Sequence, residues 1–317
     1  MTMHDADELL RAHLDMYAIR RFEEHVQRLF LEGEIPGTTH LCNGQEAVCV
    51  GLSRALRDSD VMAATYRGHG HLLARGADEV ALAAELLGRE AGLCGGRAGS
   101  LNVADFSRNY VGSFAIVGGS IGAALGIALA LRRSGRVAVA AFGDGTANHG
   151  YFFEALNFAK VYELPLVFSL ENNGYMEYTP IDEVSAGSDL AARAGVFGIP
   201  VEKVDGMSVG AVQAASLAAV ERARAGEGPQ FLEHRTYRFV GHSRSDPATY
   251  RPPGELDEWL RRDPLVLARD ELTRELALPA ERIAAAEAAV RERVDAVFER
   301  AVASPFPSPP LREEAAR

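Results

Sequence analysis

Cysteine is scarce in this chain. Cys42, Cys49 and Cys94 are the whole supply in 317 residues. They form neither a disulfide framework nor a zinc spacing, so they read as reduced thiols. Basic residues are also short: Lys and Arg total 33 against 44 Asp and Glu, a formal charge of −11. That deficit argues against a nucleic-acid partner, which needs a basic face. No apolar run is long and unbroken enough to cross a membrane. The most apolar stretch, 111–131, is interrupted by Gly112, Gly118, Gly119, Gly122 and Gly126. The opening MTMHDADELL is acidic and has no secretory core, so a cytoplasmic protein is expected. There is no internal repeat. What remains is an ordinary globular composition, 47% apolar. The length suits one large α/β domain spanning 1–317, with a core at about 35–240.

Periodicity supplies the elements. Residues 8–32 predict a helix with Leu9, Leu10, Leu14, Tyr17, Ile19 and Phe22 as its apolar stripe. Further helices are expected at 45–56, 78–87, 119–133 and 208–225, and strands at 61–65, 201–204 and 230–237. Residues 90–118 read as a long Gly-rich connection, the kind that is usually functional. Residues 176–198 show no clear pattern. The run RFVGHSRSDPATYRPPG (238–254) is polar and rich in turn formers, and reads as an exposed, mobile loop with few anchors. Residues 255–303 read as mostly helical, ending in a Pro-rich tail. Gly122 and Gly126 sit one turn apart, which fits either interior packing or a subunit interface.

The densest information lies in GDGTANHGYFFEALNFAKVYELPLVFSLENNGY, 143–175. An apolar run, 137–142, ends in Gly143-Asp144-Gly145; a helix-type segment and a second apolar run, 166–170, lead to Asn172-Asn173. Asp144 and Asn173 are 29 positions apart, the span of one strand–helix–strand unit. Both then reach the carboxyl edge of a parallel sheet, where open α/β sheets bind ligands. A carboxylate, an amide oxygen and a backbone carbonyl are hard ligands suited to Mg²⁺. The glycines admit a phosphate close to backbone N–H groups, and a following helix offers its N-terminus. Gly-Asp-Gly alone is an ordinary turn; the spaced Asn pair and the helix between make it a signature.

That signature resembles the one of thiamine diphosphate enzymes. With IPGTTHLCNGQEAV (35–48), TYRGHGH (65–71), AIVG (115–118), VDGMS (204–208) and TYRFVGHSRSDP (236–247), the chain resembles alpha subunits of the decarboxylating first component of 2-oxo acid dehydrogenase complexes. Pyruvate, branched-chain 2-oxo acid and acetoin dehydrogenases share that component. The resemblance implies a thiamine diphosphate-binding α/β fold: a central, mostly parallel sheet flanked by helices, with helical extensions at both ends. It implies Mg²⁺ held by Asp144, Asn173 and the Tyr175 carbonyl. The diphosphate falls to Tyr66, Arg67, Gly145 and Thr146, and the aminopyrimidine to backbone groups of Ala115 and Val117. His242 is expected beside the diphosphate and thiazolium, and His40 facing the substrate, as the catalytic pair. His69 and His71 are either supporting donors or surface residues.

The resemblance also implies partners. A beta subunit brings the pyrimidine-binding half and the activating glutamate, which this chain lacks. A lipoyl acyltransferase takes the acyl group from pyruvate or acetoin. A non-oxidative two-chain lyase or carboligase is the alternative, and a non-catalytic cofactor-binding partner a third. Two positions depart from the family pattern. Phe114-Ala115 stands where NG is usual, and Glu177 stands where a supporting Met is usual, with Met176 beside it. Ser243 and Ser245 fall where mitochondrial members are phosphorylated; they read first as plain loop residues.

Overall fold

The computed structural model describes residues 5–187, 189–243 and 245–308; the first four residues, Ser188, Arg244 and the end of the Pro-rich tail lie outside the described residues. In chain order the strands are β1 (Val61–Thr65), β2 (Tyr110–Phe114), β3 (Ala138–Gly143), β4 (Leu166–Asn172), β5 (Tyr175–Met176), β6 (Thr179–Pro180), β7 (Val201–Asp205) and β8 (Gln230–Arg235). Six form one sheet in the order β2-β1-β3-β4-β8-β7, each pair parallel. The two-residue β5 and β6 make a separate antiparallel ribbon. The expected mostly parallel sheet flanked by helices is present.

The strand sequences explain the layers. Successive side chains of a strand point to opposite faces. Val139 and Ala141 of β3 join Val167, Leu232 and the helices Glu46–Arg54 and Val209–Arg224 in one apolar layer. Ala138, Ala140 and Phe142 join Phe168, Phe231 and the helices Gly119–Leu131 and Gly150–Val161 in the other. Strands buried on both faces read as continuous apolar runs, which is how β3 and β4 read in the sequence. The helix Ala6–Leu31 begins at Asp5, whose carboxylate accepts from Asp7 N at 2.9 Å and so satisfies an orphan donor of the first turn. It packs on the C-terminal helix Ala280–Ala303, with the Phe22 and Phe298 rings 4.9 Å apart. The two terminal extensions are therefore a docked pair. Among the described residues no helix is long and apolar enough to cross a membrane.

Three expectations need correction, and one left open is narrowed. The connection 90–118 contains β2, the short helix Gly99–Asn102 and a 3₁₀ turn at Phe106–Arg108. Gly112 and Ser113 disguised β2 as loop, yet Ser113 is buried against the Gly68 turn, where a Cβ would lie 2.3 Å from its Oγ. Gly122 and Gly126 do not pack inside the chain: both are exposed, and an added Cβ meets nothing within 4 Å. Finally, the run 238–254 is not short of anchors, and the strand before it ends at Arg235, not 237. Arg238 is only 2% exposed. Arg251 lies over the Tyr237 ring at 4.9 Å and donates to the Arg238 carbonyl at 2.6 Å and the Val240 carbonyl at 2.7 Å.

Candidate active site

A cavity of about 420 Å³ opens at the carboxyl ends of the strands. The end of β1 contributes Thr65, Tyr66 and Arg67, and the end of β2 contributes Ala115, Val117 and Gly118. Gly143 to Thr146 follow β3, Glu171 and Asn173 close β4, Tyr175, Met176 and Glu177 lie beyond, and Arg238 and His242 follow β8. His40, Gln45 and His149 complete the wall. Every residue expected at the site lines this one cavity, as the carboxyl-edge rule for open α/β sheets requires.

Two glycines are required by close approach. Gly118 has φ +78, and a Cβ there would sit 1.6 Å from the Tyr151 hydroxyl, which donates to the Val117 carbonyl at 2.6 Å. At Gly145 a Cβ would sit 2.7 Å from Met176 Cγ. Met176 thus occupies the space over the Gly-Asp-Gly turn, and Glu177 beside it takes φ +57 with its carbonyl accepting from Arg238 at 3.0 Å. The helix expected straight after that turn is delayed: Asp144–Asn148 is a 3₁₀ turn, and the helix starts at Gly150.

Three buried charges of the cavity, Asp144, Arg67 and Arg238, have no ion-pair partner among the described residues. Asp144 is 2% exposed, and its oxygens accept from Gly145 N at 2.7 Å and Gly174 N at 2.9 Å. Burial pushes its pKa up to about 6 despite those donors. It makes no ion pair with any described residue. Arg67 donates to the carbonyls of Leu41 and His242, the latter at 3.2 Å. Arg238 donates to His242 Nδ1 at 3.2 Å and to the Tyr250 hydroxyl at 2.6 Å, and burial, then Arg67, lower its pKa to about 10. Neither guanidinium is paired with a described carboxylate. Buried unpaired charge is costly, so one wall suits an anion and the other a cation. Among the described residues no cluster of three His, Cys, Asp or Glu has ligand geometry. A cation here would be held by Asp144 with amide and carbonyl oxygens, a donor set that fits Mg²⁺.

The two histidines lie between these walls. The ring centroids of His40 and His242 are 4.8 Å apart, and His40 is 4.5 Å from Tyr66. Burial, then Arg67, lowers His40 to about 2 and His242 to about 3. Both are neutral at physiological pH. Because His242 Nδ1 accepts from Arg238, its proton sits on Nε2.

Several site residues escaped the sequence reading. Arg238 was one: an Arg just past a strand's carboxyl end is a usable signal, but it lay in a polar run. Glu171 and Gln45 were others; with His71, left open between supporting donor and surface residue, they form a buried network behind Asn173. His69 is buried too, between Glu23 at 3.0 Å and Ser100 at 2.9 Å, so neither open-ended His is a surface residue.

Comparison with known proteins points to one family. The family model for the dehydrogenase E1 component matches residues 14–310. The chain is 40% identical over 308 residues to the alpha subunit of acetoin:2,6-dichlorophenolindophenol oxidoreductase from Cupriavidus necator, covering 96% of this chain and 92% of that one. The Bacillus subtilis protein of the same name is 40% identical over 304 residues, 95% and 91% of the two chains. The pyruvate dehydrogenase E1 alpha subunit of Rhizobium meliloti is 43% identical over 267 residues, 83% and 77%. With a family match across nearly its whole length and relatives of this similarity, the chain belongs to the dehydrogenase E1 component family, among its alpha subunits.

Proposed function

We propose that the chain is the alpha subunit of a thiamine diphosphate- and Mg²⁺-dependent dehydrogenase that cleaves pyruvate or acetoin and passes the acyl group to a lipoyl acyltransferase. One observation carries this reading: a buried, unpaired carboxylate and two buried, unpaired guanidiniums face one cavity. A divalent cation bound to a diphosphate neutralises both walls at once. Thiamine diphosphate supplies the electron sink for breaking a bond beside a carbonyl.

The chain's own residues divide the remaining work. Asp144, Asn173 and the Tyr175 carbonyl would hold Mg²⁺. Arg67, Tyr66, Gly145, Thr146 and Arg238 would hold the diphosphate, the guanidiniums by paired N–H donation. Backbone groups of Ala115 and Val117 would meet the aminopyrimidine. His242 donates from Nε2 and, being neutral, adds no charge beside the arginines; neutral His40 faces the substrate side. The activating glutamate comes from a beta subunit, and the exposed face carrying Gly122, Gly126 and Leu129 is the surface offered to a partner chain.

The test is co-expression with a beta-type chain, then assay of pyruvate, branched 2-oxo acids and acetoin with an artificial electron acceptor. Turnover is expected only with both chains, thiamine diphosphate and Mg²⁺. Turnover by this chain alone, or none with any of these substrates, overturns the reading.

A further inference from the structure

The two ends of the Asn173 amide differ in chemistry. The oxygen can bind a cation; Nδ2 carries two hydrogens and repels one. Turning the amide over swaps the ends while keeping its shape, so its surroundings must decide which end faces the cavity. Oδ1 accepts from the Tyr175 backbone N–H at 3.2 Å, and Nδ2 donates to Gln45 Oε1 at 3.2 Å. Gln45 is an amide with the same ambiguity, and its Nε2 donates to Glu171 Oε2. There the ambiguity ends. The other carboxylate oxygen, Oε1, lies 2.6 Å from His71 Nε2. Whichever side of that bond holds the proton, Oε2 remains an acceptor and Gln45 must turn its N–H toward it.

Gln45, Glu171, His71 and Asn173 are all buried, at 1%, 5%, 1% and 7% exposed. They come from separate places. Gln45 precedes the helix Glu46–Arg54, His71 lies in the helix His69–Ala74, and Glu171 and Asn173 belong to β4 and its end. Glu171 and Gln45 border the cavity, but both Glu171 oxygens are already engaged.

We propose that Glu171 and Gln45 are positioning residues: a polarity relay that holds the Nδ2 end of Asn173, as the Tyr175 N–H holds the Oδ1 end, and so keeps Oδ1 available to a divalent cation that neither Glu171 nor Gln45 binds. The relay rests on the reading of Asp144 and Asn173 as metal ligands. Glu171→Gln breaks the polarity, because a Gln at 171 can donate as well as accept and lets Gln45 turn over. Gln45→Met removes the relay and leaves the Glu171–His71 pair intact.

The experiment is Mg²⁺ titration calorimetry on the assembled alpha–beta protein with saturating thiamine diphosphate, alongside thermal unfolding. Glu171→Gln and Gln45→Met are each expected to weaken Mg²⁺ by about 10- to 100-fold, the usual effect of losing a hydrogen-bond partner of a metal ligand. The decisive background is Asn173→Asp. An Asp presents oxygen at either end and needs no orienting. There, Glu171→Gln is expected to weaken Mg²⁺ far less than the roughly 10- to 100-fold loss expected with Asn at 173. A charge effect or general loosening of the fold weakens binding in both backgrounds. Equal weakening in both, unchanged affinity in Glu171→Gln, or no Mg²⁺ binding by Asn173→Asp overturns the relay. Absence of Mg²⁺ binding by the wild-type assembly overturns the metal reading itself, and the relay with it.

Discussion

Arg67→Met tests whether the cavity's positive wall holds a diphosphate. In the ligand-free protein the change removes two hydrogen bonds, to the Leu41 and His242 carbonyls, and one of two buried unpaired guanidiniums. These effects oppose one another, so the ligand-free melting temperature is expected to change modestly. The response to ligand is different. A charge-assisted hydrogen bond contributes about 1.5–3 kcal/mol, which is roughly 10- to 150-fold in affinity. At a ligand concentration of about 100 times the wild-type Kd, binding stabilises the wild type by about 2.7 kcal/mol. The unfolding entropy of a 317-residue chain is roughly 0.67 kcal/mol per kelvin, so the wild type gains about 4 °C. A 100-fold loss of affinity leaves about 0.4 kcal/mol, less than about 1 °C, at the same concentration. Scanning calorimetry with Mg²⁺ and inorganic pyrophosphate, then with Mg²⁺ and thiamine diphosphate, reads this directly. A variant that gains the full wild-type shift with both ligands would show that Arg67 touches no phosphate.

Asp144→Asn should abolish Mg²⁺ binding while leaving the ligand-free chain at least as stable at pH 8. Its raised pKa, about 6, means the folded state holds a proton more tightly than the unfolded one. Ligand-free stability therefore falls as pH rises through about 4 to 6, while Mg²⁺ affinity falls about tenfold per unit below pH ~6, where protons compete for the ligand; calorimetry across pH 5–8 checks both signs. Asp60 behaves in the opposite sense. Fully buried yet held by Arg224 at 2.7 Å and by the N–H groups of Arg57 and Val137, it has a lowered pKa. Asp60→Asn should cost about 3 kcal/mol at pH 7, and the deficit should vanish as the medium falls through the wild-type carboxyl's lowered pKa. Gly122→Leu should change the isolated chain's stability by less than about 0.5 kcal/mol and prevent co-elution with the beta chain; a substantial fall in melting temperature would contradict its open surroundings. Trypsin should spare buried Arg238 and cut at Arg251 more slowly once thiamine diphosphate and Mg²⁺ are bound; equal rates would deny that the 238–254 segment is tightened by cofactor.

The candidate site was legible in the sequence wherever its residues are close along the chain. Asp144 and Asn173 sit on one strand–helix–strand unit, so spacing alone brings them to one edge. β3 and β4 were legible because burial on both faces leaves unbroken apolar runs. β2 was hidden because Gly112 and Ser113, placed for close packing, look like loop residues. Arg238 was hidden because arginine in a polar run ordinarily points to water, and nothing local says that Tyr250, His242 and the Glu177 carbonyl will surround it. The Gln45–Glu171–His71 network joins residues 126 and 100 positions apart. No periodicity reports such a distance. The open face of the helix Gly119–Leu131 was half legible: its small residues left interior packing and a subunit interface open, and the fold shows that nothing among the described residues packs on Gly122 and Gly126.

That open face carries a consequence for the living cell. Ile116 is 76% exposed, and Leu129 is 43% exposed on the same helix face as Gly122 and Gly126. If the beta chain docks on this face as proposed, a copy awaiting it displays an apolar patch of the sort that quality-control machinery treats as damage. Its abundance would then be set less by its own stability than by how promptly a second gene product arrives. Synthesis in step with that product protects it; overproduction alone should feed proteases and inclusion bodies, and the surplus should disappear when the second gene is induced in equal measure.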